Sequence, residues 1–325
     1  MKTAGVMATI DLELMWGFNK SLVEKPWMRH SPTFMRYIMN MARSRRVVNS
    51  LLKAVEELDF RLTWAVVGHL ALDSCERISG LPHPDMPRPE TPSGLDWYAF
   101  DPCSDIEREP LWYGSDIIKT ILESPVEHEI ACHSFSHVDF SACNRKVAEA
   151  EVIACLLTLK ERFDVRPVSF VFPFDRVGHL DVLVKHGFKV FRSPTRSLLW
   201  PFHRPRRLKG FIMSKLERPL ASGLKLPPRL GVPKKVGSLV EVPNTGLLYR
   251  PSEHGSKVLL ARLSRALSVA CDEGLLIHVY AHVHNLAQGR SHLRAFLCFL
   301  KMAKAFEKQG LLCILTMQDA YELAV

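Results

Sequence analysis

The histidines of HSFSH, residues 133–137, and the acidic pair Asp11 and Glu13 could do chemistry together. The motif follows a strand-like run at residues 128–132, and the two carboxylates end the first strand-like run of the chain. Two imidazoles and a carboxylate are the typical ligands of a catalytic divalent metal, because they leave one coordination position open for water. This set is typical of metal-assisted hydrolysis.

A fourth group, His282 in IHVYAHVHNL, could complete an acid–base pair with a carboxylate. His278, His284 and Asn285 crowd around it, which indicates a polar cavity. We favour His282 because it lies just beyond a predicted strand and before the turn at Asn285. The alternative for each of these histidines is a structural, hydrogen-bonded role.

The HSFSH spacing alone is weak evidence, because the chain has fourteen histidines and His278 and His282 repeat the same spacing. The alternative for the motif is a polar turn. Residues two apart on a strand point the same way, so Asp11 and Glu13 can face one cavity. The alternative interpretation is that Asp11 and Glu13 are exposed to solvent at the end of the strand. The apolar residues on both sides of the pair argue against it.

Short apolar runs alternate with helical patterns, which predicts an α/β fold with a parallel sheet. A long helix is predicted at 33–57, and a long Pro-rich loop at 76–112. Candidate site residues fall at predicted strand ends, where a closed barrel would bring them together. Seven strands are predicted, at residues 6–11, 60–67, 128–132, 169–171, 188–191, 275–280 and 312–316.

Charge is concentrated in one segment. The chain carries a net +9, and residues 192–236 hold twelve Lys and Arg against the single acid Glu217, with seven prolines. Arginines mixed with Leu, Phe and Trp200 are typical of an element that lies on anionic lipid, so we expect peripheral contact at the inner membrane face. A solvated insertion is the alternative. No nucleic-acid-binding module is recognisable.

The eight cysteines are scattered without a C-x-x-C pair, so the sequence predicts neither a zinc ribbon nor a disulfide framework, and it favours a reducing cytoplasm. No apolar run approaches the length of a membrane span, and no secretory signal is recognisable.

With these motifs the chain resembles the polysaccharide deacetylase family, the NodB homology domain of carbohydrate esterase family 4, and within it a cytoplasmic branch. The resemblance implies one distorted (β/α)7 barrel domain over residues 1–325, with a basic Pro-rich insertion at 192–246. The matching motifs run in order over nearly the whole chain: TIDLELMWG (9–17), LTWAVVGHL (62–70), HPDMPRP (83–89), EPLWYGSDII (109–118), HEIACHSFSHVDF (128–140), SFVFPFDRVGHLDVLVKHGFKVFR (169–192), IHVYAHVHNL (277–286) and LTMQDAYEL (315–323).

The resemblance also implies roles for single residues. Asp11 matches the general base and His282 the general acid. The implied metal ligands are Glu13, His133 and His137, and the implied metal is a divalent ion, with zinc preferred.

Two positions depart from the family pattern. The usual adjacent aspartates are separated here by Leu12, with Glu13 as the second acid, which leaves open an exchange of roles between Asp11 and Glu13. Phe174 and Asp175 stand where relatives carry an arginine and an asparagine. That arginine orients the catalytic aspartate, and Arg176 is the expected substitute, without which activity would be weak or the substrate unusual.

The expected function is therefore metal-dependent removal of an N-acyl group, acetyl or formyl, from an amino sugar or glycan, in which a C–N bond that is not a peptide bond is hydrolysed. A lipid- or nucleotide-linked saccharide would suit the basic segment. Two alternatives stay open: a cyclic-amide or other non-sugar C–N hydrolase, and a catalytically decayed sugar-binding homologue.

Overall fold

Strands and helices alternate along the computed structural model, which describes residues 4–194, 228, 230–248 and 252–324. Its strands are β1 (Gly5–Leu12), β2 (Thr63–Val66), β3 (Arg77–Ile78), β4 (Leu81–Pro82), β5 (Glu129–Cys132), β6 (Ser169–Val171), β7 (Val190–Ser193), β8 (Lys234–Val236), β9 (Leu239–Pro243), β10 (Gly246–Leu247), β11 (Leu276–His282) and β12 (Cys313–Leu315). Its helices are α1 (Trp16–Glu24), α2 (Pro32–Met41), α3 (Ser44–Leu58), α4 (Ser115–Leu122), α5 (Arg145–Phe163), α6 (Leu180–Lys185), α7 (Glu253–Glu273), α8 (Val283–Leu286), α9 (Arg290–Lys308) and α10 (Asp319–Ala324).

Seven strands run parallel in the order β11-β1-β2-β5-β6-β7-β9. After β9 the chain bends at Asn244 and continues as β10, which pairs in parallel with β11. The backbone N–H of Thr245 donates to the carbonyl of His278 at 2.6 Å within this bend. Residues 239–247 therefore contact β7 on one side and β11 on the other, which completes the ring. The predicted α/β fold with a distorted seven-stranded barrel is confirmed.

The seventh barrel strand is not the one predicted. Residues 312–316 do contain β12, but it pairs with β1 outside the ring. The missing member is β9, which lies within the predicted insertion at 192–246 and pairs with β7. Most of the basic segment 192–236 lies outside the described residues, so its predicted membrane contact has no structural account here.

The barrel interior is a separate small core. Each of the seven strands contributes one or two buried residues to it. Met317, just before helix α10, and Ala320 of that helix complete it. The strand residues are Met7, Ala65, Ala131, Val171, Val190, Val240, Val242 and Leu276. Small residues dominate because seven strands leave a narrow space. Alternate strand residues pack outward against the helices in the larger core.

The predicted helix at 33–57 is two helices, α2 and α3, with a turn between Met41 and Ser44. Helix α3 buries an apolar face, and α2 packs the partly buried Phe34, Tyr37 and Ile38 against the same core, so apolar spacing alone could not reveal the break. The predicted loop at 76–112 contains the β3–β4 hairpin. Among the described helices, none is long and apolar enough to cross a bilayer.

Candidate active site

Polar side chains replace apolar ones where the barrel strands end. Side chains two residues apart share a face of a strand. The interior residues Ala131 and Val190 stand two positions before His133 and Arg192. Residues from four strands or the turns after them thus meet at the carboxyl end of the barrel. They are Asp11 in β1 and Glu13 just after it, His133 and His137 after β5, Arg192 in β7 and His282 in β11.

Glu13 lies between the two histidines of the HSFSH motif. Its Oε1 atom is 3.2 Å from Nε2 of His133 and 3.1 Å from Nε2 of His137. All three side chains are buried. Burial alone would raise the pKa of the Glu13 carboxyl, but the imidazoles of His137 and His282 outweigh it, so that pKa lies well below its usual value. The carboxylate is therefore ionised at neutral pH.

The hydrogen bonds of His133 favour a bound cation. Its Nδ1 lies 2.7 Å from the carbonyl oxygen of Val171, which can only accept, so Nδ1 carries the proton. In a neutral imidazole the lone pair of Nε2 then faces the Glu13 carboxylate, and two acceptors meet with no proton between them. A metal ion removes this conflict, and so does a second proton: burial lowers the pKa of His133, but Glu13 and Asp11 outweigh it and raise that pKa, so a protonated ring can donate from Nε2 to Glu13. The contact to Val171 fixes the ring as contacts behind metal ligands usually do.

His137 fits the same reading. Its Nδ1 is buried without a hydrogen-bond partner, and its Nε2 lies 3.1 Å from Oε1 of Glu13 but outside hydrogen-bond geometry. Burial lowers the pKa of His137, which keeps its imidazole neutral, as a metal ligand must be. Glu13, His133 and His137 thus offer one carboxylate oxygen and two imidazole nitrogens within one small volume, and these residues fit a divalent metal.

Asp11 is held by Arg192. The guanidinium donates from Nη1 to Oδ1 at 2.7 Å and from Nη2 to Oδ2 at 2.8 Å. Burial alone would raise the pKa of Asp11, but Arg192 outweighs it and holds that pKa below its usual value. Arg192 also donates to Asp175 at 3.1 Å and stacks on Tyr280, with 4.3 Å from its guanidinium carbon to the ring centre.

Arg192 corrects the expectation placed on Arg176. Arg176 binds Asp139 instead, on the outside of the site. Sequence reasoning missed Arg192 because it was counted with the basic segment that follows it. Its position two residues after the interior Val190 was the signal that could have revealed it.

His282 lies beside Asp11 and Glu13 at the carboxyl end of the barrel. Its Nε2 atom is 3.7 Å from Oδ2 of Asp11 and 3.6 Å from Oε1 of Glu13. The side-chain amide of Asn285 lies 3.2 Å from Nδ1 of His282. With that amide donating, Nε2 carries the ring proton and faces the carboxylates. The side chain is 21% exposed, so it also reaches solvent.

The neighbouring histidines take other positions. Deeper in the barrel, His278 lies 2.5 Å from the hydroxyl of Thr9. His284 packs between the rings of Tyr37 and His282, each 4.9 Å from its centre. Neither belongs to the groups that could bind a metal among the described residues.

The departure at Phe174 has a structural counterpart. Phe174 adopts a left-handed backbone conformation with φ of 59°. Its ring lies 4.5 Å from that of His137, edge to face. Asp175 supports Arg192, so the pair covers one metal-ligand candidate and braces the arginine that holds Asp11.

Comparison with known proteins agrees with this architecture. A model of the family described as polysaccharide deacetylase matches residues 40–191. The match includes the two histidines of HSFSH but not Asp11, Glu13 or His282. No curated protein matches the chain.

Solved structures share the fold over almost the whole chain. A protein from Mycobacterium smegmatis, assigned as a polysaccharide deacetylase, is 16% identical with a TM-score of 0.60, covering 99% of this chain and 90% of its own. A protein from Pseudomonas aeruginosa PAO1 with the same assignment is 12% identical with a TM-score of 0.57, covering 99% and 91%. Puue allantoinase is 12% identical with a TM-score of 0.56, covering 99% and 90%.

At these identities the solved structures establish the fold, and the family match establishes the relationship. The resemblance to the polysaccharide deacetylase family read from the motifs is confirmed for residues 40–191, and a deacetylase-like hydrolase agrees with this match. The cytoplasmic branch stays a prediction.

Proposed function

We propose that the chain is a metal-dependent hydrolase that removes an acetyl or formyl group from the nitrogen of an amino sugar or glycan. The observation that carries the proposal is the meeting of Glu13, His133 and His137 at one point, with Asp11 and His282 beside it. Each of these groups has the chemistry that amide hydrolysis needs.

Glu13, His133 and His137 would hold the metal, and zinc suits one carboxylate oxygen with two imidazole nitrogens. When bound, a divalent ion polarises the acyl carbonyl and lowers the pKa of water. The contacts of Glu13 with both imidazoles support it as the ligand. The pairing of Asp11 with Arg192 supports the opposite role for Asp11, which stays outside the histidine pair.

Asp11 would act as the general base. It takes a proton from the water whose oxygen forms the new bond to the acyl carbon. The two hydrogen bonds from Arg192 keep the carboxylate ionised and fix its orientation. Asp175 and Tyr280 hold Arg192 in turn, so the base is positioned by a buried network.

His282 would act as the general acid. As the C–N bond breaks, the imidazolium form of the ring gives its Nε2 proton to the departing amine. The ring is left neutral with its proton on Nδ1, where the side-chain amide oxygen of Asn285 can accept it. Asn285 orients the ring through Nδ1. The products are acetate or formate and a free amino sugar.

The test is an assay of acetate and formate release by the purified chain on N-acetyl and N-formyl amino sugars, with cyclic amides as the competing substrates. Asp11→Asn and His282→Gln should each lower turnover about 10²–10⁴-fold while zinc stays bound. His133→Ala should lose the zinc bound at this site and, with it, activity. His30→Ala, at an exposed histidine, is the matched control. Activity that survives both a chelator and His133→Ala would refute the metal role.

Two finer parts of the proposal concern location. A cytoplasmic protein that touches the inner membrane face through residues 192–236 would reach a lipid-linked saccharide, and the concentration of positive charge there supports this. Arg192 itself is buried against Asp11 and cannot contribute. Sedimentation with vesicles of anionic lipid should depend on the segment, and equal sedimentation of a chain lacking residues 196–226 would contradict the membrane contact.

A further inference from the structure

A second group of metal-type ligands lies outside the candidate active site, in the chain that follows β2. Its members are His69, Cys75, His83 and Asp101. Each offers one ligand atom, and the four atoms lie within 4.8 Å of one another. Sequence reasoning missed this group because its spacing follows no short motif.

The two imidazoles and the carboxylate converge closely. Nε2 of His69 is 3.0 Å from Nε2 of His83. Oδ2 of Asp101 is 3.2 Å from the first of these nitrogens and 3.0 Å from the second. The Sγ atom of Cys75 stands farther off, 3.9 Å from the same oxygen.

These separations suit a tetrahedral ion. With zinc–nitrogen and zinc–oxygen distances of about 2.0–2.1 Å, neighbouring ligand atoms of a tetrahedron lie about 3.3 Å apart, and a sulfur ligand at about 2.3 Å stands farther from the others. The three N and O atoms are within a few tenths of an ångström of that spacing. The Sγ atom of Cys75, 3.9 Å from Oδ2 of Asp101, would move closer if the four atoms bound one ion.

Burial is the second observation. The side chains of His69 and Asp101 are 0% exposed, and that of His83 is 14% exposed. The ring of His69 packs on Trp16 at 4.4 Å between centres. Polar groups are placed in such an apolar setting when they bind one another or a cation.

We propose that His69, Cys75, His83 and Asp101 form a second metal site that binds zinc or a similar divalent ion in a structural role. The Cys75 thiolate and the Asp101 carboxylate together balance the two charges of the ion. Four protein ligands leave no open position for substrate or water, which is typical of structural rather than catalytic zinc.

The site would fasten the 73–113 loop to the backbone that carries HSFSH. The backbone N–H groups of Gly68 and His69 donate to the carbonyls of Ser134 and Phe135 at 2.8 and 2.9 Å. The Phe135 ring lies 5.5 Å from the rings of both His69 and His83. An ion here would help to fix Ser134 and Phe135, which lie in the turn between His133 and His137.

The same loop reaches that turn a second time. The indole N–H of Trp97 donates to the carbonyl of Ser136 at 3.1 Å. Asp101 follows Trp97 closely in the chain, so a metal bond to Asp101 would also fix this contact. Loss of the ion is therefore expected to loosen the candidate active site without removing any of its residues.

A disulfide is the competing use of Cys75. Its Sγ atom lies 3.1 Å from Sγ of Cys103, and both cysteines are free. A thiolate bound to metal and a sulfur bonded to Cys103 exclude each other, so one experiment can separate them.

Cobalt substitution tests the site directly, because a thiolate bound to Co²⁺ gives a sulfur-to-metal charge-transfer band. The active-site candidates include no cysteine, so this band reports on the second site alone. The full chain, purified under reducing conditions and loaded with Co²⁺, should show the band. It should persist in His137→Ala and in the cysteine control Cys143→Ser, and disappear in Cys75→Ser.

Zinc content gives an independent measurement. We expect about two equivalents in the wild-type chain and about one in each of His137→Ala and Cys75→Ser, with far-ultraviolet circular dichroism as the check on folding. If Cys75→Ser does not fold, Cys75→His supplies a fourth ligand without sulfur and should keep two equivalents while losing the band. A wild-type chain without the band, a band that survives Cys75→Ser, or a Cys75–Cys103 disulfide in the reduced preparation would overturn the proposal. Because His137→Ala removes only the other ion, failure here and failure of the proposed hydrolase are distinguishable.

Discussion

Replacement of Arg192 by methionine should strongly destabilise the protein. Arg192 is buried at the end of β7, and its two hydrogen bonds to Asp11 are 2.7 and 2.8 Å long. Methionine keeps much of the apolar contact with Tyr280 but leaves the Asp11 carboxylate buried without a counter-charge. Removal of one partner from a buried ion pair costs about 3–5 kcal/mol. Two hydrogen bonds to charged groups, at about 1.5–3 kcal/mol each, give a similar figure.

Urea unfolding followed by circular dichroism measures this cost. The free energy of unfolding should fall by about 3–5 kcal/mol in Arg192→Met. The double variant Arg192→Met, Asp11→Asn should be more stable than the two single losses predict, by about 2–3 kcal/mol, because no charge is left unpaired. Activity should fall in both, since Asp11 is no longer held as an oriented carboxylate.

Arg176→Met is the matched control. Its guanidinium also binds a carboxylate, that of Asp139, but the side chain is 55% exposed. A pair open to solvent contributes about 1 kcal/mol or less. Equal losses in the two arginine variants, or additive losses in the double variant, would refute the assignment of Arg192 as the buried counter-charge of Asp11.

Three further predictions concern other elements. An added Cβ at Gly17 would lie 2.1 Å from Oε2 of Glu13, so Gly17→Ala should weaken zinc binding about 10–100-fold in competition with a chelator, whereas Gly289→Ala, with 3.5 Å of clearance, should not. Burial lowers the pKa of His278 to about 3, against about 6.5 in the unfolded chain. The unfolded state therefore takes up a proton below pH 6.5 that the native state does not. Buried His284 and His128 act in the same direction, so the loss of stability between pH 7.5 and 5, measured by urea unfolding, should be about 2 kcal/mol smaller in His278→Gln than in the wild type. The Ser31 hydroxyl caps α2, so Ser31→Ala should cost about 1 kcal/mol in thermal unfolding.

Each of these has a result that would count against it. Unchanged zinc affinity in Gly17→Ala would mean that Glu13 is not confined by the helix beside it. An equal loss of stability between pH 7.5 and 5 in His278→Gln and the wild type would show that His278 does not contribute to the acid sensitivity. Undiminished stability in Ser31→Ala would show that water satisfies the first turn of α2 equally well.

Much of the fold follows from apolar runs between helical segments, and the bounds of β6 agree with the predicted ones. β9 was missed because Leu239–Pro243 is short, contains Glu241 and follows a run of prolines and basic residues. Its place between β7 and β11 depends on contacts across the ring, which no local pattern encodes.

Some site residues could likewise be placed from the sequence, and others could not. Asp11, Glu13 and His282 could be placed because parallel strands bring their carboxyl ends to one edge. Arg192 could not, because only the barrel interior defines which face of β7 turns inward. The loop ligands His69 to Asp101 meet through chain folding that has no period, so spacing alone could not predict them.

The pairing of β1 with β11 affects how the protein is made. Asp11 is the direct neighbour of His282 in that ladder, although nearly the whole described chain separates them. At about 5–20 residues per second, a ribosome needs roughly 15–50 s to deliver β11 after β1 has emerged. During that interval one edge of β1 lacks this partner and is open to pairing with other chains. Slower growth or chaperone supply should therefore raise the yield of correctly folded protein, and the acid–base pair is among the last parts of the molecule to form.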